Sequence, residues 1–229
     1  MKGDTVMNRN KTAIIISMTI AAVLLTACGD SSDNSDNNKD VKTVPINKSA
    51  AVYFSRVGNT DFPSDIDAVT SASLNRIGGE LKGNAQLMAD WIADEADCEV
   101  FEIVSEESYP VDYDATVDQA KQEQADNKRP KLKYGFENID DYDTIWLAFP
   151  NWWADLPMPV YSFFEEYDLS GKNIYVFITH EGSGYSSTVK TIRELEPDAN
   201  VVEARSVKGG SVSDEESSIR EFVKEQLPK

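Results

Sequence analysis

Three short polar segments hold the residues of this chain best suited to chemistry. The first is Ser55-Arg56-Val57-Gly58-Asn59-Thr60, which follows the apolar run Ala50-Ala51-Val52-Tyr53-Phe54. Ser55, Asn59 and Thr60 offer side-chain donors, and Gly58 permits backbone angles closed to other residues. Successive backbone N–H groups in such a loop can cradle a phosphate without a lysine, although an ordinary strand-ending turn reads the same way. The second segment, Pro150-Asn151-Trp152-Trp153-Ala154-Asp155-Leu156-Pro157, presents two adjacent indoles. The third, Thr179-His180-Glu181-Gly182-Ser183-Gly184-Tyr185, is rich in Gly and Ser and leaves room for a flat ring. A planar aromatic ligand carrying a phosphate fits the three together.

Other chemistries are poorly supplied. One His and two Cys make no metal-ligand cluster. His180 and Ser183 have no third partner in a nucleophilic triad, and neighbouring loop residues point apart. The pairs Glu106-Glu107 and Glu165-Glu166 read as solvated faces.

The segments must be positioned by the elements before them. Ala50–Ser55, Glu99–Val104, Thr144–Phe149, Asn173–Thr179 and Asn200–Ser206 have the β-rich composition of strands, and the third and fourth are apolar enough to be central in a parallel sheet. Between and after them, helical spacing predicts helices at Asn84–Ala96, with Asn84 as N-cap, at Tyr113–Asn127, Pro159–Tyr167 and Ser186–Leu195, and at Asp214–Gln226 with its cap at Ser213 or Asp214. Tyr113–Asn127 is polar enough to be a solvated helix. Alternating strands and helices predict an α/β, doubly wound, five-stranded parallel sheet. Ligands bind such sheets at the C-terminal ends of the strands, where all three segments fall. Lys208-Gly209-Gly210, after the fifth strand, could close the same site or simply turn the chain.

The amino terminus reads as a leader. Lys2, Arg9 and Lys11 precede the uncharged run Thr12–Ala27, too short and wrongly flanked for a stable membrane span. The run ends in Leu25-Thr26-Ala27-Cys28, which resembles the bacterial lipobox and implies cleavage after residue 27 and lipidation of Cys28. Residues 28–48 then form a Ser-, Asn- and Asp-rich tether, and 49–229 a single folded body. With Cys28 acylated, Cys98 has no disulfide partner. The net charge of −18 becomes more negative still once the basic leader is removed. That acidity argues against nucleic acid and against direct contact with anionic lipid. The expected location is extracytoplasmic, anchored in the membrane by the N-terminal lipid.

From about Ala50 to Leu227 the chain resembles the flavodoxin family. Ser55–Thr60 is similar to its FMN phosphate loop, with Val57 where Thr is usual. Pro150–Trp153 and Thr179–Gly184 resemble the Pro-x-Trp-Trp and Thr-His-x-Gly-Ser-Gly loops of a bacterial branch, with Glu181 in place of a frequent Gly. The resemblance implies strand order 2-1-3-4-5 and bound FMN. The phosphate would be held by Ser55, Val57, Gly58, Asn59 and Thr60, with Arg56 in the same loop. Trp152 or Trp153 would stack on the isoalloxazine, one stacked and one packed, flanked by Pro150 and Asn151. Thr179, His180, Gly182, Ser183 and Gly184 would meet its other side or its pyrimidine edge.

One departure stands out. The first long helix begins only at about Asn84, leaving an insertion at 61–83 with no clear structure of its own. Within it, Asp67-Ala68-Val69-Thr70-Ser71-Ala72-Ser73 resembles the motif at which flavin transferases attach FMN covalently to exported proteins, with Ser71 in place of the usual Gly. The resemblance implies Ser73 as acceptor and Asp67 and Thr70 as positioning residues. The expected function is an electron-carrying flavoprotein with a redox protein or a quinone as partner. Alternatives are a nicotinamide-dependent flavin or quinone reductase, and a non-redox binding module on the same fold.

Overall fold

The computed structural model describes residues 45–67, 69 and 73–228. The first apolar run becomes β1, Ser49–Phe54, buried at all six positions. β4 (Glu99–Ile103), β5 (Thr144–Pro150), β6 (Asn173–His180) and β7 (Asn200–Lys208) join it in one sheet of order β4-β1-β5-β6-β7. Every pairing is parallel. Counting sheet strands alone, this is the expected order 2-1-3-4-5. β5 is buried throughout and β6 in all but its last residue, as central strands covered on both faces must be.

The strand alternation sorts side chains into two cores. On one face Tyr53, Trp146 and Phe177 pack with Met88 and Ile92 of α1 (Asn84–Ala96) and Ile219 and Val223 of α5 (Glu216–Gln226). The indole of Trp146 stacks on Tyr175 with centroids 4.5 Å apart. On the other face Phe54, Leu147 and Val176 pack with Phe163 of α3 (Met158–Glu166) and Ile192 of α4 (Thr188–Leu195). Ile46 is buried in the first core, so the ordered body starts ahead of residue 49. The leader, Cys28 and the tether through residue 44 lie outside the described residues.

Three local expectations are corrected. The insertion is not structureless: Leu74–Ile77 and Glu80–Gly83 form an antiparallel hairpin, β2–β3. Its two-residue turn is Gly78-Gly79, both at positive φ (60° and 91°), as a tight primed turn requires. The N-cap of α1 is Gly83 rather than Asn84, with Gln86 Oε1 accepting from the Gly83 N–H at 3.2 Å. The hairpin therefore feeds directly into the helix. Helix α5 starts at Glu216, because Gly209–Asp214 forms a 3-10 turn first.

Helix α2 (Tyr113–Ala125) is also less solvated than its composition predicts. Asp112 caps it by accepting from the Ala115 N–H at 2.8 Å, and Thr116, Ala120 and Glu123 are buried. Their spacing marks one inward face.

Candidate functional site

The loop after β1 is held by one amide. Asn59 Nδ2 donates to the carbonyls of Ser55 and Ile103, each at 2.9 Å, and its Oδ1 accepts from the Ser105 N–H at 2.7 Å. The Asn59 side chain is thus part of the scaffold, tying β1 to β4. Ser55 Oγ accepts from the Val57 N–H at 3.2 Å. A Cβ on Gly83 would lie 1.7 Å from Ser55 Oγ, so only glycine lets the hairpin close on this loop. A Cβ on Gly58 would lie 1.6 Å from Glu102 Oε1. Thr60 Oγ1 is buried and has no hydrogen-bond partner among the described residues.

Arg56 points elsewhere. It is buried, and its Nη2 donates to Val111 O (3.0 Å), Pro110 O (3.3 Å) and Thr116 Oγ1 (3.3 Å). The rings of Phe62 and Tyr113 flank the guanidinium at 5.1 and 5.7 Å. Burial lowers its pKa from the usual value, while Tyr113 and Asp112 oppose that shift. Arginine stays charged regardless.

In the second loop, Trp152 and Asp155 exchange both backbone hydrogen bonds at 3.0 Å around Trp153 (φ 52°) and Ala154 (φ 63°). This tight left-handed turn sends the two indoles apart. Trp152 packs edge-on against Phe54 and Tyr109, both at 5.2 Å. Trp153 is 45% exposed, donates from Nε1 to Val117 O at 3.1 Å and lies under Lys121 at 5.1 Å. Asn151 binds the third loop, with its N–H donating to Thr179 O (2.7 Å) and Nδ2 to Gly184 O (2.9 Å). Its Oδ1 is buried and has no partner among the described residues.

In the third loop, the Gly182 N–H donates to His180 Nδ1 at 2.8 Å. In the neutral ring the proton is therefore on Nε2. Gly182 (φ 120°) and Gly184 (φ 59°) occupy positions that favour glycine.

These loops enclose a cavity of about 310 Å³ at the C-terminal edge of the sheet. Arg56 and Ser73 line it, as do Pro150, Asn151, Trp152 and Trp153, and Thr179, His180 and Ser183. Ser73 (φ 65°) precedes β2, and its carbonyl accepts from the Asn84 N–H at 3.2 Å. Ser55, Val57, Gly58, Asn59, Thr60, Gly182 and Gly184 belong to the same loops but not to the cavity wall. Thr70 lies outside the described residues. The sequence reading missed the wall contributed by α2, namely Tyr113, Thr116, Val117 and Ala120. Their i, i+3, i+4, i+7 spacing was the available signal. Ala154, Glu181 and Gly209 complete the lining. Among the described residues no group of His, Cys, Asp or Glu side chains could hold a metal ion.

Glu102 is the acidic neighbour of the first loop. Burial raises its pKa and Asp90 adds to the shift, while a hydrogen bond with Tyr53 opposes it. The folded state then holds this proton more tightly than the unfolded chain. Stability is greatest below the ordinary glutamate range, about pH 4.3, and falls as pH rises through the raised folded value. Glu102→Gln should therefore raise the melting temperature at about pH 7–8, and the gain should shrink toward about pH 4. Thermal unfolding followed by circular dichroism across that range checks it.

Residues 78–225 match the family model described as Flavodoxin. Among solved structures, the chain is similar to a candidate flavoprotein of Bacteroides uniformis at 24% identity and TM-score 0.57, covering 77% of this chain and 97% of that one. A candidate flavoprotein of Bacteroides eggerthii matches at 22% and 0.57, over 80% and 99% of the two chains. A flavoprotein of Lactobacillus acidophilus solved in complex with FMN matches at 22% and 0.51, over 74% and 98%. At these identities the likeness is one of fold. No curated protein matches the chain.

Proposed function

The chain belongs to the flavodoxin family, and from that premise we propose that it binds FMN in the cavity at the sheet edge and carries electrons with it. The observation that carries this reading is the division of labour within one cavity. Arg56 and Ser73 make one part of the wall suited to an anion, the Trp153 indole another suited to a flat ring, and the buried Asn151 Oδ1 can accept from an imide N–H. A volume of about 310 Å³ lies in the range of cofactor pockets. Bound FMN supplies the redox chemistry; the protein supplies position and electrostatics. His180, its Nδ1 occupied, can donate only from Nε2 while neutral. Titration of the purified protein with FMN should quench flavin fluorescence to a stoichiometric endpoint, and the bound flavin should undergo reversible reduction. A protein that leaves FMN fluorescence unchanged sinks the proposal.

The finer reading is covalent attachment at Ser73. Its support is that Ser73, the acceptor of the transferase-like motif, lines the same cavity as the indole. In that reaction the Ser73 oxygen bonds to the FMN phosphorus of FAD, the pyrophosphate P–O bond breaks, AMP leaves and the hydroxyl proton passes to solvent. Co-expression with a flavin transferase should add the mass of one FMN less one water under denaturing conditions, and Ser73→Ala should abolish the gain. No gain in the wild type rules attachment out. The leader and Cys28 suit a carrier tethered outside the cytoplasmic membrane, with a redox protein or quinone as partner. The acidic surface would favour a basic docking protein.

A further inference from the structure

We infer that His180 holds the reduced flavin as a neutral hydrogen-bond donor and not as its proton source; this deepens the FMN reading and rests on it. His180 ends β6 and pairs with Lys208 of β7, so its backbone belongs to the sheet. The residue is half-buried and lines the cavity. Asn151 clamps the loop that follows at both ends, its N–H donating to Thr179 O and its Nδ2 to Gly184 O. Between the clamps, the Gly182 N–H donates to His180 Nδ1 at 2.8 Å. Gly182 does so at φ 120°, a backbone angle that side chains rarely adopt.

Those contacts decide what the imidazole can do. An accepting Nδ1 leaves the proton on Nε2, and Nε2 makes no hydrogen bond among the described residues. Giving up that proton would leave an imidazolate, a far stronger base than any group around it. An imidazolium could give one up, but its Nδ1–H would face the Gly182 N–H, donor against donor, and the loop would have to open. The charged and titratable groups around the ring are Glu181 of its own loop, Lys208 beside it on β7, and Arg56 and Tyr113 on the rest of the cavity wall. Glu181, the carboxylate among them, is exposed, so it offers an imidazolium little. Reduction puts negative charge on a flavin unless a proton follows each electron. A fixed neutral donor answers that charge without moving a proton. Two electrons from the redox partner and one proton from solvent then enter the ring, and one negative charge stays on it beside the Nε2–H.

The test is a dithionite titration of the FMN-loaded protein over roughly pH 5.5–8.5, following absorbance and potential together. The wild type should take up one proton per two electrons across the range. His180→Ala should take up two at the acid end. It should also bind reduced FMN about ten- to a hundredfold more weakly, with oxidised FMN changed within about twofold. His180→Gln keeps an N–H donor that cannot ionise and should restore the one-proton profile. Two-proton uptake by the wild type at the acid end would overturn the inference. So would an unchanged profile in His180→Ala, or equal loss of both redox forms, since the ring would then only hold its loop. If the variants do not fold, 15N NMR of the flavin-free wild type reads the tautomer of its only His. An Nε2–H ring is expected at about pH 8, and an Nδ1–H ring overturns the inference. A wild type that binds no FMN would instead refute the FMN reading itself.

Discussion

Asn59→Ala should cost about 3–5 kcal/mol of folding stability, because it strands three buried backbone groups at once. The Ser55 and Ile103 carbonyls and the Ser105 N–H all bond to this one amide. Each buried group left without a partner costs about 1–3 kcal/mol, and entry of water recovers part of the total. Asn59→Asp should do no better. It keeps an acceptor for Ser105 but turns a charged oxygen toward two carbonyls. Urea unfolding at neutral pH measures both variants. The midpoint should fall while the slope stays constant, as for a change in stability alone. A loss below about 1 kcal/mol would mean that the amide does not make these bonds in solution. The same variant should weaken flavin binding indirectly, because Arg56, which lines the cavity, sits in the segment between Ser55 and Asn59 that this amide closes.

The two indoles should separate stability from binding. Trp152→Ala removes an edge-packed ring from between Phe54 and Tyr109 and should destabilise the fold by about 3 kcal/mol. Trp153→Ala should change stability by no more than about 0.5 kcal/mol, since the side chain is 45% exposed. Trp153→Gly should be neutral or stabilising, because glycine accepts the 52° φ without strain. Both Trp153 variants should weaken flavin binding about tenfold, the worth of one good aromatic contact. Denaturant melts and FMN titrations on the same three preparations make the comparison. Should Trp152→Ala weaken binding while keeping full stability, the roles of the two indoles are exchanged.

The five parallel strands and the convergence of three loops were legible in the sequence, while the strand order was implied only by the resemblance to the flavodoxin family. Apolar runs bounded by polar loops mark buried strands, and a right-handed parallel sheet leaves few ways to arrange them. Helix α1 was legible over Asn84–Ala96, because its apolar spacing is regular, although its cap is Gly83 rather than the expected Asn84. The hairpin was legible in principle from Gly78-Gly79, but the four-residue strands around it carry too little pattern to compete with a reading as loop.

What the sequence determined by itself was the five sheet strands with their long helices and the edge at which they present polar loops. Both follow from local hydrophobic periodicity, which folding cannot override without exposing the core. Which loop residues face the cavity was decided by the tertiary structure alone. Asn59 reads as a loop donor, but its side-chain amide is engaged by partners far along the chain, with Oδ1 accepting from the N–H of Ser105, 46 residues away. Trp152 and Trp153 are equivalent in sequence until two left-handed residues turn one inward and the other out. The inner wall from α2 is hidden in a polar helix because a cavity lining needs no strong hydrophobic stripe. Side-chain direction in a loop depends on the signs of a few φ angles and on partners far along the chain, and no local pattern encodes either.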